Sequence, residues 1–184
     1  MTAVSVIRFV TSSVVLTVGD AACGTTRPIS DASDCGTVTT VSDTYIENRQ
    51  RVQPTDTNNH GSAHGGNVVR WMDEVGAMSA MRHAGETCVT ARIEGLNFER
   101  PIPQGDICVI ESFAYEAGRT SVRVRLRAYR ESPRTGEREQ TTDSHFVFVA
   151  VDESGDPVEV PDLRADSEQC RRLRANALED APDS

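Results

Sequence analysis

The chain has 184 residues, enough for one domain with a sizeable core and too few for two comfortable ones. All 19 basic residues are arginine, none is lysine, and 28 residues are acidic, which leaves a net charge of -9 at pH 7. That balance excludes an electrostatic nucleic-acid binder. No stretch approaches the ~20 apolar residues of a membrane span.

An acidic surface without lysine points to a salt-rich cytoplasm, where charge repulsion is screened over about 3 Å at 1 M. The cysteines, Cys23, Cys35, Cys88, Cys108 and Cys170, are odd in number and form no CxxC pair. They read as reduced thiols in a cytoplasmic protein rather than as a disulfide framework or a zinc site.

Phe9 to Val18 is an apolar run behind a lone Arg8, and Asp20 stands three residues before Cys23 where a lipoprotein signal wants an apolar side chain. Export is therefore disfavoured. The Ser-, Thr-, Gly- and Asp-rich continuation to about Thr40 lacks periodicity. Residues 1–40 read as a disordered extension or as a start assigned too early, with the true one near Val41.

From there the elements follow in order. Tyr45 to Val52 suits an edge strand, and Pro54 to Gly61 is a loop rich in turn formers. From Gly65 to about Ala84 apolar residues fall on most faces, as in a central helix buried on nearly all sides. Four strands are expected next: Thr87 to Phe98, Asp106 to Glu116, Thr120 to Arg130 and Ser144 to Val151. In the third, Val122, Val124, Leu126 and Ala128 alternate with Arg123, Arg125 and Arg127, which places one face in the core and one in water. Gly118-Arg119 and Pro133 to Gly136 supply hairpin turns, and Asp166 to Leu178 suits a short amphipathic helix. One helix followed by antiparallel strands is an α+β layer in which the sheet wraps the helix.

Asp73 has Val69, Arg70, Gly76 and Ala77 at helical neighbour spacing, a small and mostly apolar groove. Glu74 is turned about 100° away and has Arg70 four residues before it as an ion-pair partner. Two readings of Asp73 stand open: a carboxylate kept there for chemistry, or one that fixes helix register across an interface. Ahead of it, Gly65 and Gly66 let backbone N–H groups at a helix start approach a negative oxygen. Asn58 offers an amide to a water or a carbonyl, or else closes an Asx turn. His60 and His64 are four apart but separated by loop residues, so no metal is expected. No Gly-x-Ser-x-Gly elbow is present.

The string Pro54-Thr-Asp-Thr-Asn58-Asn-His-Gly61-Ser-Ala-His64-Gly65-Gly66, followed by Trp71-Met72-Asp73-Glu74, resembles the cytosolic acyl-CoA thioesterases of the hotdog superfamily. Val89-Thr90-Ala91, Phe98 to Pro101, Gly105-Asp106, Gly118 to Ser121 and Phe148 to Asp152 follow in that family's order. The resemblance spans about Tyr45 to Leu163. It implies a single hotdog domain over residues 41–163, followed by a short helix and acidic tail over 164–184. It also implies hydrolysis of acyl-CoA to a fatty acid and coenzyme A, with no cofactor besides the substrate. Asn58 and Asp73 are then the catalytic pair, contributed by different protomers of a homodimer or a trimer of dimers. Gly65 or Gly66 receives the oxyanion, His64 and Thr90 contact substrate, and Arg119, Thr120 and Ser121 meet the coenzyme A phosphates; the Arg171 to Arg174 cluster could add a contact but reads rather as a solvated helix face. Two rival readings remain. Asp56 to His60 is one residue short of a hotdog hydratase motif, and a noncatalytic acyl-CoA-binding protein would share the fold.

Overall fold

The computed structural model describes residues 39–181. The expectations for the segment before Thr39 lie outside the described residues. Thr39 and Thr40 belong to the fold: Val41 N–H donates to Arg164 O at 2.9 Å, and Arg164 N–H donates to Thr39 O at 3.1 Å.

The elements run β1 (Ile46–Arg51), α1 (Gly65–Ala84), β2 (Thr87–Glu94), β3 (Ile107–Ala117), β4 (Ser121–Glu131), β5 (Arg138–Val151) and α2 (Glu168–Glu179). The five strands form one antiparallel sheet in the order β1-β3-β4-β5-β2. The chain leaves β1 at one edge, passes through α1 and enters β2 at the other edge, so α1 underlies the sheet and touches all five strands. No helix among the described residues is long and apolar enough to cross a membrane.

Two boundaries differ from expectation for local reasons. β2 stops at Glu94 rather than Phe98, because Gly95 takes a φ of 58°, which breaks the extended backbone. β5 begins at Arg138, six residues before Ser144. Register with β4 zips Arg138, Glu139 and Gln140 onto Glu131, Arg130 and Tyr129, so the ladder continues where the hydrophobic alternation fades.

His64 caps α1, its Nδ1 accepting from Gly66 N–H at 3.2 Å. Gly85, with a φ of 73°, ends the helix by donating to Met81 O at 2.9 Å. The inner face of α1 buries Val68, Trp71, Met72, Val75 and Ala80 against Val124, Leu126, Phe146 and Phe148. A single sheet covers one side of a helix, and here α1 departs from the expected near-total burial. Gly66, Arg70, Glu74, Met78 and Met81 form an exposed stripe at helical spacing.

Gly76 is where helix and sheet approach most closely. A Cβ there would lie 3.0 Å from the Phe148 ring and 3.3 Å from Leu126 Cδ1. Gly76→Val is expected to lower the unfolding free energy by about 1–3 kcal/mol, since overpacking outweighs the few tenths gained in helix propensity. Urea denaturation reads this out, and unchanged stability would show that the layers separate freely.

The outer face of the sheet is not all in water. α2 and the residues near Val41 lie on it, packing Cys170 and Ala177 against Phe113 and Tyr115. Arg125, expected in solvent, is 3% exposed. Its guanidinium meets Asp143, Asp180 at 3.0 Å, and His145 Nε2. A guanidinium only donates, so Nε2 accepts, and the neutral ring carries its proton on Nδ1, directed at Tyr115 Oη 3.0 Å away.

Burial first, and Arg125 second, push the His145 pKa down from 6.5 to about 4, against smaller opposing effects of Asp143 and Asp180. The unfolded chain therefore binds this proton at higher pH than the folded one. Stability falls as pH drops from about 6.5 towards 4, by about 3 kcal/mol in all. A flatter stability profile over that window in His145→Asn, measured by urea titration, is the expected check.

Candidate active site

Asp73 is half-buried on α1 and accepts a hydrogen bond from Thr90 Oγ1 of β2. Thr90 reaches it because β2 pairs Thr90 with Phe148, whose ring is in the core, so the hydroxyl points to the helix side. A bulge between Thr90 and Arg92 then changes the alternation, bringing Ile93 rather than Arg92 opposite Phe146. Glu74 turns outward to Arg70, 2.6 Å away. The two adjacent carboxylates thus separate, one to solvent and one to a strand hydroxyl.

Asn58 sits half-buried in the loop before α1. Its Oδ1 accepts from His60 N–H at 2.9 Å and from Ser62 Oγ at 3.3 Å, while Ser62 O receives its backbone N–H at 2.8 Å. The Asx-type turn is present, and it leaves Nδ2 with no acceptor among the described residues. Turn-forming and ligand-binding roles are compatible here, because they use different ends of one amide.

Of the two glycines expected to hold an oxyanion, only Gly65 keeps a free N–H among the described residues. Gly66 already donates to His64 Nδ1. His64 is exposed and acts first as a helix cap. Asn58 and Gly65 open onto a cleft of about 300 Å³ walled by Val68, Phe98, Ile102 and Thr141 among others. Asp73 does not line it. Eight residues of helix place Asp73 about 12 Å further along the axis than Gly65.

The turn Gly118 to Ser121, closed by Gly118 N–H donating to Ser121 O at 2.8 Å, lies at the Asp73 end of the sheet. Ser121 pairs with Val149, which pairs with Val89 beside Thr90, so Ser121 stands two strand spacings, about 10 Å, from Val89. Arg119 is 81% exposed, with Glu159 3.8 Å away as a loose partner. One chain therefore keeps two groups of polar residues apart: Asp73 with Thr90 near the middle of α1, on the side of the Arg119 turn, and Asn58 with Gly65 and the cleft at the start of α1. Among the described residues no group of three or more His, Cys, Asp or Glu side chains is placed to hold a metal ion.

The residues alone did not indicate that Thr90 fastens Asp73. Alternation along β2 indicates which face Thr90 takes, but not which helix residue lies opposite it. Phe98 stood in a recognised motif without a role.

This architecture, one helix under a single antiparallel sheet with a fastened aspartate on the helix, defines a hotdog domain of thioesterase type. Residues 60–137 match the family model of the thioesterase superfamily. The chain is 37% identical over 131 residues to the uncharacterized acyl-CoA thioester hydrolase YkhA of Bacillus subtilis, a match that covers 71% of this chain and 76% of that protein. A solved hexameric acyl-CoA thioesterase is 38% identical, with a TM-score of 0.70 over 76% of this chain and 90% of that one. The acyl-CoA hydrolase of Staphylococcus aureus, solved with butyryl coenzyme A and coenzyme A, is 28% identical, with a TM-score of 0.70 over 77% of this chain and 87% of that one. The chain belongs to the acyl-CoA thioester hydrolases of the thioesterase superfamily.

Solved variants of the Staphylococcus enzyme replace with alanine an asparagine, an aspartate fifteen positions later and a threonine seventeen positions after that. Asn58, Asp73 and Thr90 stand at the same two spacings.

Proposed function

We propose that this protein hydrolyses acyl-CoA to a free fatty acid and coenzyme A, at a site completed by a second copy of the chain. The observation that carries the reading is the pair of half-sites. Asp73, fastened by Thr90, lies near the middle of α1, and Asn58 lies with the free Gly65 N–H at its start, outside hydrogen-bond reach of the aspartate. Two copies related by a two-fold axis can bring the Asn58 group of one against the Asp73 group of the other, twice. The exposed apolar residues Met78, Met81, Val89 and Ile93, on α1 and the edge strand β2, suit burial in such a pairing. The hexameric state of a solved relative is in keeping with a trimer of such dimers.

Such sparse chemistry suffices. A thioester carbonyl is electrophilic and its leaving thiol has a pKa of about 8.5, so no strong acid is needed to expel it. Asp73 takes a proton from water as the hydroxide oxygen adds to the carbonyl carbon. The developing oxyanion is held by Gly65 N–H, with Asn58 Nδ2 orienting water or carbonyl. Collapse breaks the C–S bond, the proton passes to the departing sulfur, and the acid leaves. Direct attack by Asp73, through an anhydride that water then opens, uses the same residues.

Arg119, with Thr120 and Ser121, takes the coenzyme A phosphates, and no cofactor beyond the substrate enters the scheme. The unpaired described cysteines Cys88, Cys108 and Cys170 and the lysine-free acidic composition support a cytoplasmic, salt-rich setting.

Release of free thiol from acyl-CoA thioesters of increasing chain length, followed at low and high salt, tests the function. Binding of acyl-CoA with no thiol released above background at any length would leave a noncatalytic binding protein. Hydration of crotonyl-CoA in place of hydrolysis would leave a hydratase.

A further inference from the structure

Gly95 to Arg100 carries no regular structure between β2 and β3. Glu99 N–H donates to Thr141 O at 2.9 Å, and Arg100 pairs with Glu139 at 3.5 Å. Phe98, 46% exposed, stands between these fastenings and the start of α1. Its ring carbon lies 3.4 Å from where a Cβ on Gly65 would be, so the aromatic ring occupies the space that the glycine leaves open. Below it, Val68 and Ile102, each 2% exposed, form an apolar wall of the cleft that Asn58 and Gly65 border.

The geometry points to Phe98 as the residue that sets acyl-chain length, by forming a side of the cleft that receives the chain. This rests on the hydrolytic reading above. The thioester carbonyl must lie at the Gly65 N–H, and its two arms then leave in opposite directions. The phosphate-bearing arm runs towards Arg119, which the partner supplies together with Asp73. The other arm meets Val68, Ile102 and Phe98, surfaces that suit methylenes and offer little to the amides of a pantetheine chain. Phe98 stands at the side of this cleft, so a long acyl chain such as palmitoyl meets the ring where a short one such as butyryl does not.

The test compares kcat/KM for butyryl-, octanoyl- and palmitoyl-CoA in the unaltered protein, Phe98→Ala and Phe98→Trp, with butyryl-N-acetylcysteamine as a substrate lacking most of the thiol arm. Phe98→Ala is expected to raise the palmitoyl-to-butyryl ratio by about tenfold or more, and Phe98→Trp to lower the octanoyl-to-butyryl ratio. Because the ring is half exposed, both variants should fold, which melting curves verify. Equal scaling of all three CoA substrates would overturn the assignment. So would a change confined to discrimination between butyryl-CoA and the truncated thiol, which would place the thiol arm in the cleft. Failure of the unaltered protein to hydrolyse any thioester is a different result and would remove the hydrolytic reading itself.

Discussion

Asp73→Asn is expected to fold and assemble as the unaltered protein does while losing turnover by about 10³-fold. The size follows from what is removed. An ionised carboxylate positioned on the attacking water contributes about 10²–10⁴ through proton transfer, and asparagine keeps the shape and the contact to Thr90 while accepting no proton. Asp73 is half-buried and its described polar contact is Thr90, so the substitution leaves no buried charge unpaired and folding should be little affected. A loss in kcat with KM nearly unchanged is the expected division, since proton transfer develops only in the transition state. Retention of normal turnover would remove Asp73 from the mechanism. Label in the Asp73 carboxylate after a single turnover in ¹⁸O-labelled water would show that this oxygen attacks the thioester and that water opens the anhydride at the aspartyl carbonyl.

Mixing inactive Asp73→Ala with inactive Asn58→Ala is expected to restore about a quarter of the unaltered activity once subunits exchange. Each two-fold dimer holds two sites, each taking Asn58 from one chain and Asp73 from the other. Random exchange of equal amounts makes half of the dimers mixed, and a mixed dimer has one site with both native residues and one with neither. Mass spectrometry of differently tagged chains confirms the exchange. No recovery in a sample with proven mixed dimers would put both residues of each site in one chain. The 12 Å helical offset between Gly65 and Asp73 argues against that arrangement.

Much of this was legible along the chain. The span of α1 followed from its apolar pattern, and β4 followed from its alternation. The pairing of Glu74 with Arg70, expected from their spacing of four, is formed at 2.6 Å. Three features were not legible, each for a physical reason. Arg125 alternates as an exposed residue should, but α2 covers that face from more than forty residues away, and Asp180 just past its end is a partner of the guanidinium. β5 begins in a polar stretch, because its start is held by pairing with β4 rather than by burial. Of the glycine pair, Gly66 is occupied by the histidine beside it, which composition could not reveal.

Local chemistry determined the elements, the loop and the residue types of the site, because helix period, strand alternation and turn-forming residues act over only a few positions. The family's ordered motifs then indicated which of those residues to join. Only the tertiary structure decided how they are arranged: the pairing of Thr90 with Phe148 that faces its hydroxyl to Asp73, the cleft that Phe98 walls beside Gly65, and the separation of Asn58 from Asp73 along α1. Contacts of this kind depend on the strand order β1-β3-β4-β5-β2 and on the path of α1 from one sheet edge to the other, and no short-range pattern encodes which distant segments become neighbours.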